Sequence, residues 1–158
     1  MLASISVAAS QDDSRRLRVN DSRTAHLLRV GAERSPLLRE LLATIEAGDV
    51  VVYMDQVREV PTRFAGSMRW IGASASQRYV RVSITVDLAP HDYVATIAHE
   101  LQHVIEIIEN PDVQDVSSFA ALYARIGEHE EQNGLSVWDT AAAREVGRIV
   151  KREFLGRR

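Results

Sequence analysis

The residues with the greatest chemical potential lie together at positions 99–103, which read His99-Glu100-Leu101-Gln102-His103. Histidines four apart on a helix stand one above the other on the same face. Two imidazole nitrogens so placed can reach one ion, at a Zn–N distance of about 2.0–2.1 Å. Glu100 is one step round the helix, so its carboxylate would lie beside such an ion rather than on it. There it could take a proton from an activated water and hand it to a leaving group. The competing reading of the same pair is two partly buried histidines satisfied by ordinary hydrogen bonds.

Composition narrows the alternatives. The chain has 158 residues, 46% of them apolar, which suits one domain with a real core. With no cysteine, it has no disulfide framework, no Cys-ligated zinc finger or iron–sulfur cluster, and no thiol chemistry. No apolar run approaches the roughly 20 residues needed to span a bilayer. The formal net charge is −3, which excludes a bulk basic field for nucleic acid. Metal or proton chemistry is therefore left to His, Asp and Glu, and there are five histidines. The charge is unevenly spread. Residues 91–143 hold ten acids against Arg125 alone, a formal −9, while residues 144–158 are net basic. Arg144, Arg148, Lys151 and Arg152 read as the solvated outer face of a helix; a nucleic-acid contact there is the weaker alternative.

The elements that must position residues 99–103 follow from periodicity. Ala32 to Ala47 has helical spacing of Leu37, Leu38, Leu41, Leu42 and Ile45, with Ser35-Pro36 as cap and first turn and Gly48 as stop. Three strands are expected next, at Asp49–Asp55, Ser67–Ala73 and Tyr79–Val86, with Pro61 and Gly66 punctuating the connection between the first two. In the third, Val80, Val82, Ile84 and Val86 alternate with polar residues. Asp92 to Glu109 is an amphipathic helix closed by Asn110-Pro111. Its stripe of Val94, Ile97, Leu101, Val104 and Ile108 buries one face, and His99, His103 and Glu106 share the neighbouring face. Glu106 reads as an acid behind the ligands or a solvated one, not a ligand. Ser117-Ser118 can cap a third helix that ends near Gly127, a polar loop covers His129–Gly134, and a last helix runs from about Val137 to Phe154. Strands segregated from helices imply an α+β fold with a small mixed or antiparallel sheet. Residues 1–23 are expected to be flexible and 24–158 to form one domain. Met1–Ser10 lacks the basic start of a secretory signal and reads as a loose terminus or a truncated signal, so the compartment, cytoplasmic or exported, stays open.

Thr96 to Ile105 (TIAHELQHVI) resembles the extended signature of the zincin metallopeptidases. That signature has Val or Thr three places before the first histidine, uncharged neighbours, and a hydrophobic residue after the second. The resemblance implies a zinc site with His99 and His103 as ligands, Glu100 as general base, and a peptide or protein as substrate. The metzincin branch would need Gly and His where this chain has Glu106 and Glu109, and does not fit. The gluzincin branch takes an acidic third ligand from a later helix, often in the pattern Glu-x-x-Ala-Asp. Asp139-Thr140-Ala141-Ala142-Ala143 matches in part, with Asp139 at the ligand and Ala142 at the small residue. Asp is one methylene shorter than Glu, and Ala143 stands where an acid would orient a ligand histidine.

A helical wheel of the last helix puts Asp139 in the apolar arc with Trp138, Ala142, Val146, Ile149 and Val150. A carboxylate there needs a partner, and a metal is one. The alternative is that Asp139 caps the helix. Glu145 is the reserve ligand, and otherwise a surface acid paired with Arg148. Trp138 reads as core. Zincins add a Tyr, His or Arg that stabilises the oxyanion, for which Tyr123 and His129 are the candidates. The strand Tyr79–Val86, just before the helix, is the candidate for the edge strand that binds substrate backbone in such folds. The nearest architectural likeness is a minigluzincin, a small sheet with a two-helix zinc scaffold. A catalytically silent binding module on the same fold is the second reading.

Overall fold

The computed structural model describes residues 15–60, 64–132 and 134–156. The Met1–Ser10 start and the Pro61 turn lie outside them. The fold is α+β. Along the chain run β1 (Leu17–Val19), α1 (Ser22–Arg34), α2 (Pro36–Ala47), β2 (Val50–Val57), β3 (Gly66–Ala73) and β4 (Arg78–Thr85). There follow α3 (Pro90–Ile108), α4 (Val116–Ile126), β5 (Glu128–Gln132), β6 (Leu135–Asp139) and α5 (Ala141–Phe154).

β1–β4 form one mixed sheet in the order β1-β2-β4-β3. β1 pairs parallel with β2, and β2 parallel with β4, while β3 runs antiparallel to β4. The parallel β1–β2 pair needs a long crossover, which α1 and α2 provide. Val50, Val52 and Met54 of β2 and Val80, Val82 and Ile84 of β4 are buried together with Val94, Ile97, Leu101 and Val104 of α3. The period-two pattern of the sheet thus meets the helical stripe that carries the histidines.

Several elements differ from the sequence expectations. β1 lies within the segment read as loose; it is three residues long and is recognised only through its pairing with β2. Ser35-Pro36 as cap and first turn puts the start of the helix read over Ala32–Ala47 near Pro36, and α2 begins there; Ala32–Arg34 belong to the last turn of α1. Ser35 makes the break: its N–H donates to Gly31 O at 2.8 Å, and its hydroxyl accepts from the Leu38 N–H at 3.0 Å. The strand expected as the sheet edge, β4, is central, and β3 is the edge. β4 buries most of its length between two partners, whereas β3 exposes Arg69 and Ile71.

The C-terminal region differs most. The expected polar loop is mostly β5, and the residues expected to begin the last helix are β6, paired antiparallel from Glu128↔Asp139 to Gln132↔Leu135. Gly134 has a φ of +75°, as a tight hairpin turn demands. α5 begins only at Ala141, because Thr140 is its cap: the Thr140 hydroxyl accepts from the Ala143 N–H at 3.1 Å. Trp138 and Asp139 therefore belong to a strand, and the helical wheel does not apply to them.

Two contacts fix α3 in space. Arg78, with a side chain 2% exposed, donates to the carbonyls of Ile107 and Asn110 at 2.7 and 2.9 Å and to the Asp49 carboxylate at 2.9 and 2.6 Å. A strand residue thus holds the C-terminal end of α3, where helix carbonyls lack partners. On the other side α5 crosses α3 at Gly147. A Cβ there would lie 3.2 Å from Ala95 O and 3.4 Å from His99 Cβ. Three residues of the basic outer face of α5 pair locally: Arg144 with Glu128, Arg148 with Glu145 and Lys151 with Asp92. No helix among the described residues is long and apolar enough to cross a membrane.

Candidate metal centre

His99 and His103 sit one turn apart on α3, with ring centroids 5.0 Å apart. Asp139, the last residue of β6, meets them from the far side. Its Oδ1 is 3.2 Å from His99 Nε2 and 3.6 Å from His103 Nε2. For ligand atoms about 2.0–2.1 Å from a tetrahedral ion, the spacing between ligands is about 3.3–3.4 Å. The two distances bracket that value. One ligand atom from each of the three residues lies within 4.8 Å of the others, so the cluster could hold a metal ion. If these three held an ion, a fourth position would be left open, as in catalytic rather than closed structural sites. A donor set of two imidazoles and a carboxylate suits zinc and also other divalent first-row ions.

The surroundings hold these groups firmly. Asp139 Oδ1 accepts the Thr140 N–H at 2.7 Å, and Oδ2 faces Arg144 Nη1 at 3.3 Å. Burial raises the Asp139 pKa, but the facing His99 and the Thr140 amide outweigh it, and the carboxyl ends below its ordinary value. His103 Nδ1 lies 2.8 Å from Glu106 Oε2. Burial lowers the His103 pKa, but the hydrogen bond to Glu106, together with the Glu100 and Asp139 charges, more than reverses this and the net shift is upward. Glu106 is not in the ligand cluster; it stands behind His103, buried on α3.

Glu100 is buried as well, 4% exposed, and lines the same cavity as the three cluster residues. Desolvation raises its pKa, partly countered by His103 and His99. Gly66, at the start of β3, lies against it: a Cβ there would come within 2.6 Å of Glu100 Oε1. The cavity, about 470 Å³, runs between β3, α3, α4 and β6. Its apolar walls are Phe64, Met68, Phe119, Tyr123, Val137 and Trp138.

The remaining candidates are placed as follows. Glu145 is on the exposed side of α5, with its carboxylate on the Arg148 guanidinium at 2.6–2.9 Å, away from the cluster. Tyr123 lines the cavity, but its hydroxyl donates to the main-chain carbonyl of His103 at 3.1 Å. Burial, with Glu106 nearby, pushes that phenol's pKa upward. His129 is outside the cavity lining; its ring packs on Trp138, 4.6 Å between centroids, and its Nε2 faces the Ser136 hydroxyl. Trp138, expected in the core, is half-buried: it packs against the core and also forms part of the cavity wall.

Thr140, Gly66 and the α4 aromatic Phe119 also stand at the site, although in the sequence Gly66 reads only as loop punctuation and Thr140 only as part of the Asp139–Ala143 run. For Thr140 a signal existed, since Asp-Thr before an alanine run holds two possible caps. Neither a protein-family model, nor a curated protein, nor a solved structure matches this chain.

Proposed function

We propose that the protein is a zinc-dependent peptidase whose ion is held by His99, His103 and Asp139 and whose general base is Glu100. The observation that carries this reading is the convergence of His99 Nε2, His103 Nε2 and Asp139 Oδ1 in a cavity that Glu100 also lines. When bound, a zinc ion supplies Lewis acidity at a scissile carbonyl and lowers the pKa of a coordinated water towards about 7. Glu100, in its dry setting, accepts the water's proton on its carboxylate and returns it to the leaving amine. β3 pairs with β4 alone among the described strands, and its other edge is the place where an extended peptide would add as a further strand. The apolar walls favour a peptide that places a large apolar side chain next to the cleaved bond.

The test is metal content and hydrolysis of a peptide library, wild type beside Glu100→Gln. The expected result is one zinc in both proteins, with cleavage by the variant reduced about 10²–10⁴-fold. Equal cleavage by the two would remove Glu100 from its role. A zinc-loaded wild type that cleaves nothing would leave a metal-bearing binding module.

A further inference from the structure

One residue touches both halves of the proposed metal centre, so this inference rests on the metal reading above. Thr140 lies between the end of β6 and the start of α5 and is 3% exposed. Its N–H donates to Asp139 Oδ1 at 2.7 Å. Its hydroxyl oxygen is already the acceptor for the Ala143 N–H at 3.1 Å. The hydroxyl proton is then free to go to Glu106 Oε1, which lies 2.6 Å away. The other oxygen of Glu106 faces His103 Nδ1 at 2.8 Å. With a carboxylate on Nδ1, that nitrogen carries the ring proton and Nε2 keeps its lone pair for an ion.

We propose that Thr140 is a positioning residue for the metal centre: its hydroxyl fixes Glu106, and through it the His103 ring, while its amide fixes Asp139. A ligand on α3 and a ligand on β6, 36 residues apart in sequence, are thereby set by the same side chain and its own backbone. The hydroxyl matters for a reason beyond helix capping. A carboxylate with one oxygen bonded to a hydroxyl and the other to a histidine is held in orientation, and it in turn orients the buried ring toward the ion position.

The test is the Zn²⁺ and Co²⁺ affinity of the full chain, read by competition with a chromophoric chelator. Thermal unfolding of the metal-free proteins is measured alongside. Thr140→Val is expected to weaken both ions about 10–100-fold, and Thr140→Ser to restore near wild-type affinity. In a Glu106→Ala background, Thr140→Val should cause no further loss, because the path runs through Glu106. If Thr140 is only a cap, Thr140→Val lowers the melting temperature but leaves affinity unchanged, and the proposal falls. It falls equally if the two losses add. Should Thr140→Val not fold, Glu106→Ala, which keeps the α5 cap, must lose affinity while Thr140→Ser does not; unchanged affinity in Glu106→Ala overturns the relay. A wild type that binds neither ion brings down the metal reading itself, and the relay with it.

Discussion

Replacing Gly66 with alanine separates the proposed base from the metal ligands. The added methyl carbon would sit 2.6 Å from Glu100 Oε1, 2.8 Å from Thr96 Cγ2 and 3.0 Å from Glu100 Cγ. Carbon contacts of this kind begin near 3.0 Å, so the carboxylate must retreat by about 0.4 Å or change rotamer. Gly66 does not have a positive φ, so alanine itself is not strained there. Alanine in a strand even gains about 0.5–1 kcal/mol over glycine in backbone entropy. Overpacking costs about 1–3 kcal/mol, which leaves a net loss of roughly 0–2.5 kcal/mol after the entropy gain, readable in urea unfolding. Misplacement of a reacting group by about 1 Å can cost 10²-fold. With a smaller displacement here, kcat/KM should fall about 10- to 100-fold while zinc affinity stays at the wild-type value. In a Glu100→Gln background the same substitution should do nothing more to cleavage. Full activity in Gly66→Ala, or a further loss in the double variant, would refute the argument that β3 sets the position of Glu100.

Three further outcomes are expected. Arg78→Met removes the buried guanidinium from the Ile107 and Asn110 carbonyls and from Asp49, and should destabilise the fold by about 3 kcal/mol, measured by denaturant titration; a change below a few tenths would show that the end of α3 does not depend on it. The Asp49 carboxyl is held below its ordinary pKa, chiefly by its hydrogen bond to Arg78. The unfolded chain therefore binds more protons in acid. The Asp49 contribution is present above the unfolded value of about 3.9 and disappears as pH falls through the lower folded value. Asp49→Asn should flatten the loss of stability over that acid window, and an unchanged pH profile would count against the pair. Finally, zinc at about 100 times its Kd should add about 2.7 kcal/mol, or roughly 5–10 °C in Tm. Chelator should reverse this, and Asp139→Ala should abolish most of it; a Tm indifferent to zinc would contradict the site.

How much of this was legible depends on what each element uses to declare itself. α3 is explicit in the sequence because one long helix carries an unbroken apolar stripe, and the structure buries that stripe: Val94, Ile97, Leu101 and Val104 are fully covered. β4 is explicit because its valines and isoleucine alternate at period two, and β2 because Val50, Val51 and Val52 form an unbroken β-branched run. α1 is harder to see, since its buried face is only Thr24, Leu27, Leu28 and Gly31 in a largely polar stretch. The β5–β6 hairpin has no apolar alternation in its first strand, which reads Glu-His-Glu-Glu-Gln; backbone pairing defines it. Its signal was the Asn133-Gly134 pair, a strong mark of a two-residue turn. Missing that turn moved the start of the last helix forward by four residues, from Ala141 to Val137, and placed Asp139 on a helix. Which strand forms the sheet edge was not legible, because the order of strands is a tertiary property. The pairing of Thr140 with Glu106 spans 34 residues and is likewise a product of the fold.

The β5–β6 ribbon pairs with no strand of the main sheet and carries Asp139 at its root. Its turn lies four pairs further out, about 14 Å away at the usual rise per residue. Length and composition at the tip are thus decoupled from the geometry at the base. Register-preserving pairs added or removed at Gly134 would lengthen or trim this ribbon, with Asp139 four pairs away at its base. For an engineer this is a graft point: a recognition arm can be redesigned there while the proposed metal centre keeps its place at the root.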